Sequence, residues 1–233
     1  MKHTRESLIE LIDECRDRNK RGIIDIRGID LSELDLQGVD LRWVDLEEAN
    51  LQGANLQGAN LKNANLQGAN LQWADLYEAS LEDANLQDAN LQRADLRGAD
   101  LRGTELQGAD LWGAELYGAD LRDADLRYAD LRGADFQDAY LQEADLRGAD
   151  FRGADFQGAD LREADLDFAG LELLGTIADS RLVSQLLYHL CRMDVRNCPE
   201  WDELRNDERL IALANQSHVV DVYEQPEIEP LKA

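Results

Sequence analysis

The stretch Ala49-Asn50-Leu51-Gln52-Gly53-Ala54-Asn55-Leu56-Gln57-Gly58 is one five-residue unit written twice, and its period decides the fold. A helix turning every 3.6 residues would rotate successive leucines by about 140° and paint them round its surface instead of along one stripe. A Gly at the end of the unit would also cost roughly 1 kcal/mol in a helix interior. Extended chain accommodates the unit. Residues two apart on a strand face the same way, so Ala49 and Leu51 point inward and Asn50 outward. Gln52 and Gly53 must then turn a corner, where Gly permits a positive φ.

Working outward, the period holds without insertion from Ile26 to Leu171, thirty pentads in all. The large column begins Ile26, Leu31, Leu36, Leu41, with Phe136, Phe151 and Phe156 replacing Leu near its end. Two residues earlier runs a smaller column: Ile24, Ile29, Leu34, Val39, Val44, then Ala from Ala49 to Ala169, broken only by Thr104. Gly ends 14 of the pentads. Side stacked on side at about 4.8 Å would bury both columns and pair the backbone, which describes a solenoid.

The run Ala-Asn-Leu-Gln-Gly, Ala-Asp-Leu-Arg-Gly, Ala-Asp-Phe-Gln-Gly resembles the pentapeptide-repeat family over about 150 of the 233 residues. The resemblance implies an all-β solenoid, a right-handed quadrilateral β-helix with four pentads per coil. Residues 23–172 would then make about 7.5 coils and a rod of roughly 36 Å. The family is abundant in cyanobacteria, where some members act in cell regulation. Its quinolone-resistance members bind DNA gyrase by resembling duplex DNA, and use apolar C-terminal ends to dimerise.

A solenoid is open at both ends and needs caps. Residues 1–22 are expected to form an N-terminal capping helix, with Ser7 and Glu10 in capping-box spacing and Gly22 beyond its end. Leu8, Leu11, Ile12 and Cys15 fall on one apolar stripe that would cover the first coil, which Ile24, Ile29, Leu34, Val39 and Val44 would widen to receive it. A docking helix for another protein is the alternative use of that stripe.

Residues 173–223 read as a C-terminal helical region, with helices over 180–193 and 199–215 and a short strand over 219–223. Residues 224–233 read as an acidic tail. Leu182, Leu186, Leu187, Leu190 and Trp201 would either cap the rod within one chain or pair two chains as a homodimer.

Acids outnumber bases 49 to 24, a net charge of −25, which opposes direct binding to nucleic acid. Cys15, Cys191 and Cys198 make no disulfide framework and fit a reducing compartment. No stretch of about 18 apolar residues could span a bilayer and no signal peptide is visible, so the expected location is the cytoplasm. His3, His189 and His218 are scattered outside the repeat, and His189, Cys191 and Cys198 lack the four spaced ligands of structural zinc. Each repeat Asp is one rung of a regular ladder, with no neighbour that singles it out as an acid or base. The sequence therefore predicts no enzyme, no cofactor and no metal site.

The irregular outward residues carry what functional information there is. From Asp95 to Asp165 the outward position is acidic at 14 of 15 rungs, and between Ala94 and Leu166 18 acids face 8 arginines. Interleaved Arg suits charge pairing better than imitation of phosphates. With 20-residue coils, Trp73 and Tyr77 share an edge with Trp112 and Tyr117, and Arg93 and Arg97 fall in the coil between. Trp, Tyr and Arg commonly anchor protein interfaces, though here they could simply cover Gly-rich corners. The expectation is a non-enzymatic scaffold or regulator that binds an unidentified protein through the rod surface. A DNA mimic acting on gyrase or topoisomerase is the alternative.

Overall fold

The structure, a computed structural model, describes residues 4–18 and 23–166. It opens with helix α1 (Arg5–Arg18) and continues as coils of 20 residues, each making four bends. The pairs β1 (Ile24–Asp25) and β2 (Val44–Asp45) are parallel and in register. Every later contact repeats that step of 20, from Asp30 beside Asn50 to Asp145 beside Asp165. Each side of the coil is too short for a long strand, so the ladder consists of single bridges stacked along the rod.

Four of the five amides in a pentad bond to backbone. In successive coils Leu31 N donates to Asn50 O at 2.8 Å, Asn50 N to Ile29 O at 2.9 Å, and Gly53 N to Gln72 O at 2.9 Å. Ala54 N closes the bend by donating to Leu51 O at 3.0 Å. The fifth amide, on the residue after Leu, has no carbonyl to meet. It donates instead to the side chain two residues earlier, as Gln52 N does to Asn50 Oδ1 at 3.3 Å and Arg132 N to Asp130 Oδ1 at 3.2 Å. Asn and Asp make this local turn readily. The outward Asn/Asp column thus serves the backbone at most rungs, while Ser80, Glu105, Glu115 and Tyr140 hold the same ladder without that turn bond.

Every corner from Gly28 to Glu163 has φ near +60°, and 14 of these residues are not Gly. They include Trp43, Trp73, Arg93 and Tyr128, for which the left-handed region is intrinsically unfavourable. Stacking of the coils imposes the conformation, and Gly eases it without being necessary.

The Leu and Ala columns are buried along the rod. Phe136 and Phe156 stack one coil apart with ring centroids at 4.8 Å, and Phe151 meets Phe156 edge-on at 5.9 Å. Thr104, the exception in the Ala column, is fully buried but satisfied, its Oγ1 donating to Leu101 O at 2.6 Å.

At the N-terminal end Leu8 and Ile12 of α1 join the same core, with Ile9, Leu11, Cys15, Ile29 and Leu34 partly buried against it. The capping box differs from the expected Ser7/Glu10 pair. Ser7 N donates to Thr4 Oγ1 at 3.2 Å and Thr4 N to Ser7 Oγ at 3.0 Å, because the helix starts at Arg5 and places Thr4 at its N-cap. α1 also supplies donors to the first coil's open edge. Arg5 donates to Asp35 O and Gln37 O at 3.3 and 2.8 Å, and Arg16 to Asp40 O at 3.0 Å. A preceding coil would otherwise fill these acceptors. The final pentads of the expected 7.5 coils, the C-terminal helices, and the residues Leu182, Leu186, Leu187, Leu190 and Trp201 lie outside the described residues.

Candidate functional site

Ten arginines of the coils stand directly after the large inward residue (Leu, Ile26 or Phe151) and turn back onto the Asp of their own pentad. Arg132 is typical, donating through Nε to Asp130 Oδ1 at 2.8 Å and through Nη2 to Oδ2 at 2.6 Å. The same pairing joins Arg97 to Asp95, Arg102 to Asp100 and Arg122 to Asp120. Several also reach the next coil, as Arg127 Nε does to Asp145 at 3.5 Å. Where Gln takes the position it reaches the following coil, donating to an acid there, as Gln92 does to Asp110 at 2.6 Å and Gln137 to Asp155 at 2.8 Å, or to the next Gln, as Gln72 does to Gln92 at 2.9 Å.

These bonds favour the ionised acids. Hydrogen bonding from Arg97 holds Asp95 below its ordinary value, and hydrogen bonding from Arg42, helped by the charge of Arg16, lowers Asp40 to about 2. Much of the acid on the rod is therefore paired within its own surface.

Charge is unequal among the four sides. On the side whose outward rungs are Asp75, Asp95, Glu115, Asp135 and Asp155, the pentads 74–78, 94–98, 114–118, 134–138 and 154–158 hold seven acids and one Arg. The preceding side, carrying Asn70, Asn90, Asp110, Asp130 and Asp150, holds three of each over its matching five pentads.

The aromatic residues border the acidic side. Trp73, Arg93 and Trp112 form one ladder, with the Arg93 guanidinium carbon 4.7 Å from one ring centroid and 4.6 Å from the other. Tyr77, Arg97 and Tyr117 occupy successive rungs of the next corner, where Arg97 lies 5.8 Å from the Tyr77 ring. The single edge expected from spacing is therefore two adjacent corners, because Ala74, Asp75 and Leu76 form a whole side between Trp73 and Tyr77. The four rings stay exposed, from 39% at Trp112 to 52% at Trp73. Hydrogen bonding to Glu78 and Asp138 raises the phenols of Tyr77 and Tyr117 respectively.

The ladders could be foreseen only in part. Arg93 follows its Leu by two residues and Trp112 by one, and that offset lets the side chains interleave. Reading outward columns alone misses it. Tyr128, at 73% exposure, and Tyr140, at 50%, are further exposed rings that spacing did not single out. Among the described residues no group of His, Cys, Asp and Glu is arranged to hold a metal ion, and no helix is long and apolar enough to cross a membrane.

The profile of the family described as pentapeptide repeats matches this chain in eight copies that together span residues 24–167. No curated protein matches. Among solved structures, the chain is similar to HetL, a pentapeptide repeat protein involved in heterocyst differentiation regulation in the cyanobacterium Nostoc sp. strain PCC 7120. The identity is 30%, covering 72% of this chain and 95% of HetL, with a TM-score of 0.40. A second Nostoc PCC 7120 pentapeptide repeat protein, alr5209, is 40% identical over 45% of this chain and 84% of its own, with a TM-score of 0.39. QnrB1, a plasmid-mediated fluoroquinolone resistance protein, is 17% identical over 66% of this chain and 97% of its own, with a TM-score of 0.38.

Proposed function

The chain belongs to the pentapeptide-repeat family, whose fold is a right-handed β-helix, and on that premise we propose that it is a non-enzymatic scaffold or regulator that binds another protein through the surface of its rod. The carrying observation is the pair of aromatic–arginine ladders, Trp73–Arg93–Trp112 and Tyr77–Arg97–Tyr117, on adjacent corners. Exposed Trp, Tyr and Arg in one place are the side chains that most often dominate interface energies. None of the six belongs to the Leu and Ala columns that form the core. Affinity capture with the full chain should retain a defined partner and lose it on Trp73→Ala/Trp112→Ala, with unchanged melting of the variant. Equal capture by both proteins would overturn the reading.

A DNA mimic that engages gyrase or topoisomerase is a second reading, favoured by the acidic side alone, where seven acids meet one Arg. The bidentate Asp–Arg pairing elsewhere works against it, since a paired carboxylate is a poor stand-in for a phosphate. Inhibition or protection of gyrase supercoiling at low micromolar protein is the outcome that this second reading requires. The homodimer through Leu182, Leu186, Leu187, Leu190 and Trp201 remains part of the proposal, with sedimentation at micromolar concentration as its test.

A further inference from the structure

Arg93 differs from every other arginine described in the coils. It stands two residues after its Leu, at a corner with φ of 55°, and not in the position from which ten others turn back onto an Asp. The outward residue of its own pentad is Asn90, which offers no carboxylate. Among the described residues no acid lies within ion-pair distance of the Arg93 guanidinium, and its N–H groups donate to no protein acceptor. Its stem passes over Gly113, where an added Cβ would lie 3.6 Å from Cγ of Arg93. Its head lies between two indoles.

We propose that Arg93 is a binding site for a carboxylate, supplied by an Asp or Glu side chain of the protein partner. This rests on the protein-binding reading above and names the chemistry at its centre. With the rings of Trp73 and Trp112 centred 4.7 and 4.6 Å from its central carbon, one in the preceding coil and one in the following, the guanidinium is flanked along the rod, and its N–H edge is what it can offer a ligand. A carboxylate is the planar anion that matches that edge with two parallel hydrogen bonds. The indoles fix the orientation before the ligand arrives, so little side-chain freedom is lost on binding.

The surroundings permit an anion here and limit its charge. Towards the preceding side stand the amides of Asn70, whose Nδ2 donates to Asn50 at 3.2 Å, and Gln72, whose Nε2 donates to Gln92 at 2.9 Å, and the carboxylate of Asp110 there accepts from Gln92 Nε2 at 2.6 Å. Towards the other side stand Asp75 and Asp95. They repel a doubly charged phosphate more strongly than a singly charged carboxylate, which favours the latter as the natural ligand.

The test uses the full chain and the arginine Nε–Hε resonances in a proton–nitrogen correlation spectrum, with Arg93 assigned by Arg93→Lys. Sodium acetate is titrated against sodium chloride and inorganic phosphate at matched ionic strength. Acetate should move the Arg93 resonance saturably, at a concentration about tenfold below any response of the Asp-paired arginines. The response should weaken in Trp73→Ala/Trp112→Ala while melting stays unchanged. No displacement beyond that of chloride, a uniform response of all arginines, or tighter saturation by phosphate would each overturn the proposal. Partner capture separates the two readings. An Arg93→Gln protein that still captures the partner defeats the carboxylate site and leaves the scaffold standing. A wild-type protein that responds to acetate but captures nothing defeats the scaffold alone.

Discussion

The guanidinium of Arg16 donates to the backbone carbonyl of Asp40 at 3.0 Å and forms an ion pair with the same residue's carboxylate at 3.2 Å. A helix side chain thereby takes the place of a missing coil. Edge acceptors left open are templates for further strand pairing, and Arg5 answers those of Asp35 and Gln37 in the same way.

Removing both donors should therefore loosen the end of the rod without unfolding it. Arg5→Ala/Arg16→Ala is expected to cost about 1 kcal/mol per site and to lower the melting temperature by roughly 4–8 °C. The same variant should self-associate more than the wild type, and sedimentation velocity would register the change.

A charge placed in the core should have a far larger effect. Leu101 is 1% exposed, and Leu101→Asp buries a carboxylate with no partner, at a cost of several kcal/mol. The variant should lose its cooperative melting transition, followed by circular dichroism. A soluble variant with unchanged melting would contradict the packing described above.

The corners offer a test in both directions. Glu143 sits at φ 61° and should gain about 1 kcal/mol on substitution by Gly, because the left-handed penalty of its Cβ is removed. Gly118 has φ of 64° and open space around an added Cβ, so Gly118→Ala should lose a similar amount through backbone conformation alone. Denaturant midpoints of the two variants should move oppositely.

Acid should weaken the rod by a route with a definite sign. Asp40, Asp95, Asp130 and Asp145 are held below the ordinary carboxylate value, first of all by hydrogen bonds from their arginines. Their folded pKa values lie below the unfolded ones, so their contribution is complete above about pH 5 and fades as pH falls through the folded values, reaching about 2 at Asp40. These pairs are partly exposed, so each contributes modestly and less in salt. Thermal midpoints recorded from pH 5 to pH 2 should fall, and Asp130→Asn should flatten part of the decline while keeping the turn that Asp130 Oδ1 accepts.

The architecture was legible because its cause is local. An inward Leu every fifth residue with an inward Ala two positions earlier forces a short side and a bend, whatever lies further along the chain. Coil length was less accessible: Asn50 could be matched to Asn70 only through the family resemblance, because five-residue spacing alone leaves the number of sides open. Corner conformation at Glu48 or Tyr128 was hidden for another reason. Neither residue favours positive φ, and only the hydrogen bonds of the neighbouring coils hold it there. The Trp73–Arg93–Trp112 stack combined both difficulties, needing the register and the one-residue offset between Arg93 and Trp112. The helix cap was misplaced by one turn because Thr4 and Ser7 serve each other, a pairing less conspicuous than Ser7 with Glu10.

The amide that no carbonyl meets has a wider implication. Asn50 and Asp130 close the same turn with the same Oδ1 atom, so the backbone is indifferent to which of the two stands at a rung. Exchanging them changes one unit of charge and almost nothing in shape. The rod is in this sense a ruler with about 5 Å graduations, on which neutral or negative marks can be rewritten singly, so that lineages sharing this backbone could address different partners by editing marks alone.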